Sequence, residues 1–554
     1  MFAKYYYPTI LAGLTMGLCA YLIPEAYQFM ALFMTVIIIT ASGMSSIYYT
    51  VSSGLTLGVV LHLVSLQEAL VGYKNPAVWL VVMAFGVAQA VATCGIGKRI
   101  ALWLMHRLGG SYLGMGYAIC IAECLFAPII PSNVARGGGI IAPIVQAVIQ
   151  QQGTTEKSNQ SEVSAYLILV AAHANNISSA MFLTAMVANP LIAQTAREVF
   201  EVDFTWGLWF LGASLPGFCS LLATPWLIGW FTISAEYKEI KDTTAIKDNY
   251  HQLGSWTTEE KRMVGVMLFL LFGWATAPLH GLHPALVAFV GIIAIALLRV
   301  CTVWSMVSDI RAWQTLVWLG GMVSLGHKLH SDGVVVQLVE SMYFLHNGLS
   351  QEASIGLVWL VYFYAMYFFA GSTAYVAMLY GAMLMLVKSL SVPALPAIAT
   401  LAYASNLNPC LTSYSTGTMA MYFSYRYVDS RCWYTSGFCM SILHMVFWLF
   451  IGSFWSVGFF GSIVVVITPS RFPSSFKILP SGETIIECPY VFLPLQCFPA
   501  WPGANTYEKF SIALAFNKVC QCLLPVVSVN AEGILKNIAP FFDIFLYMLG
   551  NLKS

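Results

Sequence analysis

The sequence predicts an all-α protein that crosses a membrane many times and is built from two related halves of opposite orientation. Three observations carry that expectation. Of the 554 residues, 59% are hydrophobic and 9% charged, with a mean hydropathy of +0.76, whereas a soluble domain carries roughly a quarter charged residues. Runs at 28–42, 76–93, 208–231, 263–278, 282–300 and 354–370 approach the ~20 apolar residues that a helix needs to cross a bilayer core, and none shows the alternation of a barrel strand. Similar segments also recur about 240 residues apart, the mark of a carrier whose two halves meet at a central site.

In chain order, "MFAKYYYPTILAGLTMGLCAYLIP" reads as a first spanning helix, because no small-residue cleavage site precedes the apolar sequence that follows. "AVWLVVMAFGVAQAVATCGIGKRIALWL" from Ala77 is echoed by "TLVWLGGMVSLGHKLHSDGVVVQLV" from Thr315, with Trp79 answering Trp318 and Gly95 answering Gly333. The same offset sets Ser132 opposite Ser372, and a further step sets 175–190 opposite 408–423. Each half then runs as long helix, interfacial stretch, broken polar hairpin and interrupted polar helix. Lys98, Arg99 and Arg107 mark the first interfacial stretch, while the second holds Asp332 and Glu340 and no basic residue. Basic residues collect on the cytoplasmic side, so the halves are expected to face opposite ways.

The expected domains are N-terminal transmembrane helices at 1–75, a first repeat at 76–233, a charged cytoplasmic loop at 234–262, a second repeat at 263–456 and an atypical tail at 457–554. The loop carries Lys238, Lys241, Lys247, Lys261 and Arg262 and reads as a solvated connector. The tail holds nine of the 23 prolines and no transmembrane period. It reads either as a terminal extension or as out-of-frame sequence, and no function is assigned to it.

The composition excludes several classes. A net charge of +1 and no basic stripe leave nothing to track a phosphate backbone, so nucleic acid is not expected as a partner. The thirteen cysteines form no CxxC pair and lie mostly in apolar runs, as small buried hydrophobes do, so neither a disulfide framework nor a metal site is expected. No HExxH, no GxSxG and no carboxylate pair within the spans speaks for an enzyme. No cofactor is called for.

Four polar breaks interrupt the apolar chain: "PSNVARGGG", "NNISSAMFLTAMVANP", "GSTAY" and "NPCLTSYSTGTMA". Irregular backbone at membrane depth is tolerated only where protein or a water-filled cavity satisfies it. Broken helices there present N–H ends to anions and freed carbonyls to cations. The same serines, threonines and glycines also serve as packing surfaces, but four breaks at matched positions point to a site. Arg136 stands inside the first. A mid-membrane cation costs at least ~2.5–3.5 kcal/mol, so it is functional or paired; the competing readings are an ion pair with Glu123 and snorkelling to the interface. His173 reads as a core histidine with its hydrogen bonds satisfied, and Lys388 and Arg426 as interface anchors.

At "PSNVARGGGIIAPI", "NNISSAMFLTAMVANPLI", "STAYVAMLY" and "LTSYSTGTMAMYF" the sequence resembles the divalent anion:sodium symporter family, and within it the branch of citrate/succinate and 2-oxoglutarate/malate translocators, from near the start to about residue 456. The resemblance implies a scaffold domain and a moving transport domain, two re-entrant helical hairpins, elevator-type alternating access, a homodimer, and a multi-pass location in the cell (inner) membrane. It places Ser132, Asn133 and Val134 at the first hairpin tip and Ser372, Thr373 and Ala374 at the second. Both depart from the family's Ser-Asn-Thr pattern, which removes side-chain oxygens that could ligate sodium; Ser132, Asn133 and Ser372 are the remaining sodium candidates. The unwound segments are implied to supply Ser178, Ser179, Thr184 and Asn189 from one half and Thr412, Ser415, Thr416 and Thr418 from the other.

The expected function is therefore carriage of di- or tricarboxylates. A permanently charged Arg136 would stop an empty carrier from returning, which makes obligate exchange of one dicarboxylate for another the first expectation, of the 2-oxoglutarate/malate type. Arg136 would supply charge, Ser132, Asn133, Ser372 and Thr373 would donate to the carboxylates, and Gly137 and its neighbours would let backbone amides approach. A sodium-coupled dicarboxylate symporter of the same fold is the alternative.

Overall fold

A computed structural model describes residues 25–41, 45–151, 162–233, 244–331, 351–369, 371–390, 393–452, 455, 476–478 and 484–486. The expected first helix, Gly333 and the second interfacial stretch with Asp332 and Glu340 lie outside the described residues. The chain divides into two compact units, Met1–Ser456 and Val457–Ser554.

In the first unit the described parts of the six apolar runs from 28–42 to 354–370 are largely helical. Helices α1 (Glu25–Ala41) and α2 (Ile47–Val60) are followed by the short α3 (Leu66–Ala69), then α4 (Pro76–Cys94) and α5 (Ile96–Leu108). Asn75 caps α4 by accepting from the Ala77 N–H, and Pro76 occupies its first position, where a missing N–H costs nothing; Gly95, at φ 80°, ends it. That left-handed turn is what glycine tolerates, and it swings the chain into the amphipathic α5. A hairpin follows: α6 (Tyr112–Phe126) runs to a tip at 127–132, and the chain returns through α7 (Asn133–Arg136), a π-helical turn (Gly137–Ile141) and α8 (Ala142–Gln151). Next come the interrupted helix, α9 (Glu162–Met181) and α10 (Asn189–Phe200), and the long α11 (Trp206–Thr232).

The second half opens with α12 (Thr244–Gln252) and α13 (Thr258–Ala275), then α14 (Ala277–His280), α15 (Pro284–Leu297), α16 (Val303–Val307) and α17 (Ile310–Ser331). Its hairpin pairs α18 (Gln351–Tyr364) with α19 (Ser372–Tyr375), a π-helical turn (Val376–Tyr380) and α20 (Gly381–Ser389). Its interrupted helix is α21 (Ala394–Leu407) and α22 (Gly417–Ser424), and α23 (Ser430–His444) closes the unit through a π-helical stretch to Ile451. In the second unit β1 (Phe476–Ile478) pairs antiparallel with β2 (Thr484–Ile486), Phe476 opposite Ile486; this is the one described departure from an all-α chain.

The two hairpins open toward opposite faces. The arm of the first shares a cavity with Asn249 of α12, through Pro143 and Ala147. The arm of the second ends where Lys388 Nζ donates to the Val199 carbonyl at 2.5 Å, near the far end of α10. Lys388 thus caps a helix C-terminus as well as marking an interface, a favourable place for a cation. Trp226, Trp230, Leu268, Phe272, Ile293 and Leu297 are exposed on α11, α13 and α15, an apolar surface that only lipid or a partner covers.

The structure corrects three sequence expectations. The hairpin arms repeat at a constant 239 residues: α7, the π-turn and α8 begin at 133, 137 and 142, and their counterparts at 372, 376 and 381. Ser372 therefore answers Asn133, and Gly371 answers the capping Ser132, one step from the expected pairing. The second break also starts later than its sequence suggests, since Asn175–Met181 continue α9 without interruption and the irregular stretches are 182–188 and 408–416. Finally, the 234–262 loop is partly helical and docked. Thr257 caps α13 in a reciprocal capping box with Glu260. Arg99 of α5 donates to Glu260 at 2.7 Å and to the carbonyls of Leu253, Gly254 and Ser255.

Candidate functional site

The polar breaks converge. A methyl group added at Gly417, the first residue of α22, would come within 2.9 Å of a Val134 methyl, and one at Gly137 within 2.7 Å of Thr418 Cγ2. The first tip thus rests directly on the start of α22. The second tip is tied to the same loop, with the Ser372 N–H donating to the Ser415 carbonyl at 2.8 Å. Three helices begin within this cluster, at Asn133, Ser372 and Gly417, and their N-terminal dipole ends favour negative charge.

Arg136 is fully buried, as is Glu123, and their side chains meet at 2.6 Å between Nε and Oε2. Its Nη1 donates to the carbonyls of Ile130 (3.0 Å) and Ala185 (3.1 Å). Its Nη2 donates to Ser179 Oγ at 2.7 Å and, at 3.3 Å each, to Ser178 Oγ and the Asn175 carbonyl. A guanidinium has five N–H donors, and these contacts take all of them. The Asn175 amide completes the cage by donating to both Glu123 oxygens and to the Asn133 carbonyl at 3.1 Å. The expected role of Arg136 as free charge for the passenger is therefore corrected. Its charge is cancelled in place, and it braces the first tip against α9 and the break at Ala185.

Five other candidates are likewise committed to the structure. Ser178 and Ser179 belong to the arginine cage. The Thr184 hydroxyl donates to the Pro128 carbonyl at 2.5 Å and accepts from Trp206 Nε1 at 3.2 Å, so it pins the tip loop. The Ser415 hydroxyl donates to the carbonyls of Pro409 (2.7 Å) and Thr412 (3.0 Å). Gly137 is needed for the close approach of α22, whose Tyr422 hydroxyl donates to its carbonyl at 3.1 Å; Gly138 likewise leaves room for Met421. This replaces the expected approach of backbone amides to a ligand.

The remaining candidates keep free donors. Ser132 Oγ accepts from the Ala135 N–H at 3.1 Å as a helix cap, which leaves its hydroxyl proton uncommitted. Asn133 Oδ1 accepts from the Val134 N–H at 2.9 Å, and its amide N–H groups, like the hydroxyls of Ser372 and Thr373, have no partner among the described residues. Thr416 caps α22 by accepting from Met419 N. Buried and unpartnered beside them are Thr412 Oγ1, Thr418 Oγ1, Asn175 Oδ1 and both amide atoms of Asn408. Such an orphan costs about 1–3 kcal/mol, so two tips surrounded by orphans are built for something that supplies the missing bonds. His173 is buried with its Nδ1 unpartnered, and is thus not the satisfied core histidine expected.

The residue that sequence reasoning missed is Asn406, the partner of the expected Asn189. Asn406 Nδ2 donates to Asn189 Oδ1 at 2.8 Å, while the Asn189 amide holds the carbonyls of Ser179 and Phe182. This buried bond joins the two interrupted helices directly. Its signal was an asparagine inside "TLAYASNLNPC", an amide in an otherwise apolar run.

A family model described as the sodium:sulfate symporter transmembrane region matches residues 3–460 of the chain. Dicarboxylate transporter 2.1, chloroplastic, of Arabidopsis thaliana is 33% identical over 407 residues, 73% of this chain and 72% of that one. Dicarboxylate transporter 2, chloroplastic, of Spinacia oleracea is 32% identical over 447 residues, 79% and 78% of the two chains. The inner membrane protein YbhI of Escherichia coli is 30% identical over 388 residues, 69% and 80%.

Proposed function

We propose, from the premise that the chain belongs to the sodium:sulfate symporter family of membrane transporters and is not an enzyme, that it carries dicarboxylates across an inner membrane by alternating access. The observation that carries the reading is the set of uncommitted donors on Ser132, Asn133, Ser372 and Thr373, placed at the first residues of buried helices. Carboxylates accept hydrogen bonds, and a donor to a charged group contributes ~1.5–3 kcal/mol. The passenger's two acid groups would lie between the tips, one toward Ser132 and Asn133 and the other toward Ser372 and Thr373, with Thr412, Thr416 and Thr418 lining the space between. The relatives named for dicarboxylates support this substrate class, with 2-oxoglutarate and malate as the first acids to try. A homodimer, implied by the family resemblance, is part of the proposal, and light scattering of the purified protein tests it.

Exchange of one dicarboxylate for another is the preferred mode. Its support is the replacement of tip hydroxyls by Val134 and Ala374, which leaves fewer side-chain oxygens for a cation. The charge of Arg136 no longer contributes to that argument. Sodium coupling is the second reading, favoured by the unpartnered oxygens of Asn175 and Asn408 together with Ser132, Asn133 and Ser372. Efflux of labelled malate from proteoliposomes separates the two. Exchange predicts efflux only when a dicarboxylate is present outside; efflux into plain buffer that follows a sodium gradient overturns it. Ser132→Ala and Ser372→Ala should each raise KM about 10-fold or more, and unchanged KM in both would remove the tips from the site.

A further inference from the structure

Away from the hairpin tips, a cavity of about 390 Å³ is lined by Lys74, Asn75, Gln194, Arg197 and His283 together with Val71, Pro76 and Ala77. Its size falls within the range of small-molecule sites. Its position follows from the fold. The C-terminal end of α4 leads into α5, which is bonded through Arg99 to the linker between the halves. The N-terminal end of α4, at Pro76, is therefore on the opposite face, and α15 starts beside it at Pro284. The cavity lies on the face away from the charged linker.

Three of the groups lining it, Lys74, Arg197 and His283, can donate to an anion. Lys74 has no ion-pair partner among the described residues. Among the described residues the Arg197 side chain is held by Asp203 alone, at 3.3 Å and with both side chains about two-thirds exposed, an arrangement that water and salt weaken. His283 Nδ1 accepts from the Ala285 N–H at 3.1 Å, which places the imidazole proton on Nε2 and leaves that N–H free to donate. Burial, and then the neighbouring Arg197 charge, hold the imidazole below its ordinary pKa, so it serves as a neutral donor between two cations. The acidic groups near Arg197 are Asp203, already named, Glu198, which is engaged by the Gln194 amide at 2.9 Å, and the exposed Glu201, one turn further on, whose backbone N–H donates to the Arg197 carbonyl at 2.9 Å.

From these observations we infer that the cavity bounded by Lys74, Arg197 and His283 is a second anion site, separate from the hairpin tips, that takes a divalent oxyanion from the side of the membrane away from the linker. Two sources share that chemistry, the dicarboxylate passenger and an inorganic anion such as sulfate. Only the choice of passenger rests on the proposed function. An anion seated here joins α10, the continuation of the first interrupted helix, to α4 and α15 across the seam between them.

Equilibrium dialysis of the purified full chain against labelled succinate, and separately against labelled sulfate, tests the site. Wild type should bind two equivalents of succinate per chain. Ser132→Ala with Ser372→Ala should remove one, Lys74→Gln with Arg197→Gln should remove the other, and Lys74→Arg alone should keep both. If succinate does not bind but one equivalent of sulfate does and is lost in Lys74→Gln with Arg197→Gln, the cavity stands as an inorganic-anion site and the dicarboxylate reading fails alone. If neither anion responds to Lys74→Gln with Arg197→Gln, in protein that remains monodisperse, the second site is refuted whatever happens at the tips.

Discussion

Removing either member of the Arg136–Glu123 pair should damage the protein more than removing both. In Arg136→Met the Glu123 carboxylate remains at zero exposure, held only by Asn175 and Ser178. In Glu123→Met an uncompensated guanidinium remains among carbonyls and hydroxyls. Breaking a buried pair from one side costs about 3–5 kcal/mol, two to three powers of ten in the folded fraction at 1.4 kcal/mol each. The double substitution to methionine leaves no buried charge and fills a similar volume, so it should recover about 2 kcal/mol or more of either single loss. The assay is thermal unfolding in detergent followed by tryptophan fluorescence, with dicarboxylate transport measured on the same preparations. A brace predicts low stability for both singles and partial recovery of stability and transport in the double. The reasoning fails if Arg136→Met melts with wild type and still abolishes transport, because a residue that touches the passenger would behave that way and a brace would not.

Gly137→Ala places a methyl 2.7 Å from Thr418 Cγ2, so the first hairpin must move away from α22; an overpacking cost of about 1–3 kcal/mol and a fall in transport rate are expected, read by melting and uptake together. Asn406→Leu breaks the one described side-chain bond between the interrupted helices, at Asn189, and strands the Asn189 oxygen, so a loss of about 1–3 kcal/mol should appear in the melting curve; an unchanged melt would deny the bond its role. Arg99→Gln unpairs the buried Glu260 and frees the carbonyls of 253–255, so trypsin should cut at the exposed Lys247 several times faster, with Lys388→Gln as a control that leaves this rate alone.

Much of the scaffold was legible because hydrophobicity is additive along the chain: among the described residues the long apolar runs are helical, and each of the four polar interruptions contains a tip or an unwound stretch. What was not legible depended on three-dimensional meeting points. Arg136 and Glu123 are thirteen residues apart, and only the reversal of the chain at 127–132 brings them together, so the sequence offered a pair and a free charge with no means of choosing. The repeat register slipped by one because Ser132 and Ser372 look alike as letters, whereas the backbone matches Ser372 to Asn133 and leaves Gly371 at the capping position. The NNISSA stretch looked like part of a break because its amides and hydroxyls are polar; in the fold Asn175, Ser178 and Ser179 bond the Arg136 cage and the α9 backbone is intact. The linker read as solvated from its charge alone, since nothing in its own residues announces that Arg99, more than 150 residues earlier, closes on it.

The neutralised arginine changes where the charge problem of transport lies. A dianion entering low dielectric must find compensation at the moment it is enclosed, and a cation already spent on Glu123 supplies little of it. What remains at the tips are partial charges: the N-terminal ends of α7, α19 and α22, together with hydroxyl and amide donors that have no other partner. These offer nothing that must be dragged across uncompensated when the site is empty, so the ion pair imposes no barrier to the return of an unloaded carrier. An exchanger of this construction would owe its obligation to the unsatisfied donors, since closing the tips on nothing would bury Ser132, Asn133, Ser372 and Thr373 without acceptors. At about 1–3 kcal/mol for each stranded group, four such groups amount to a barrier as effective as a fixed charge, and one that an arriving carboxylate removes.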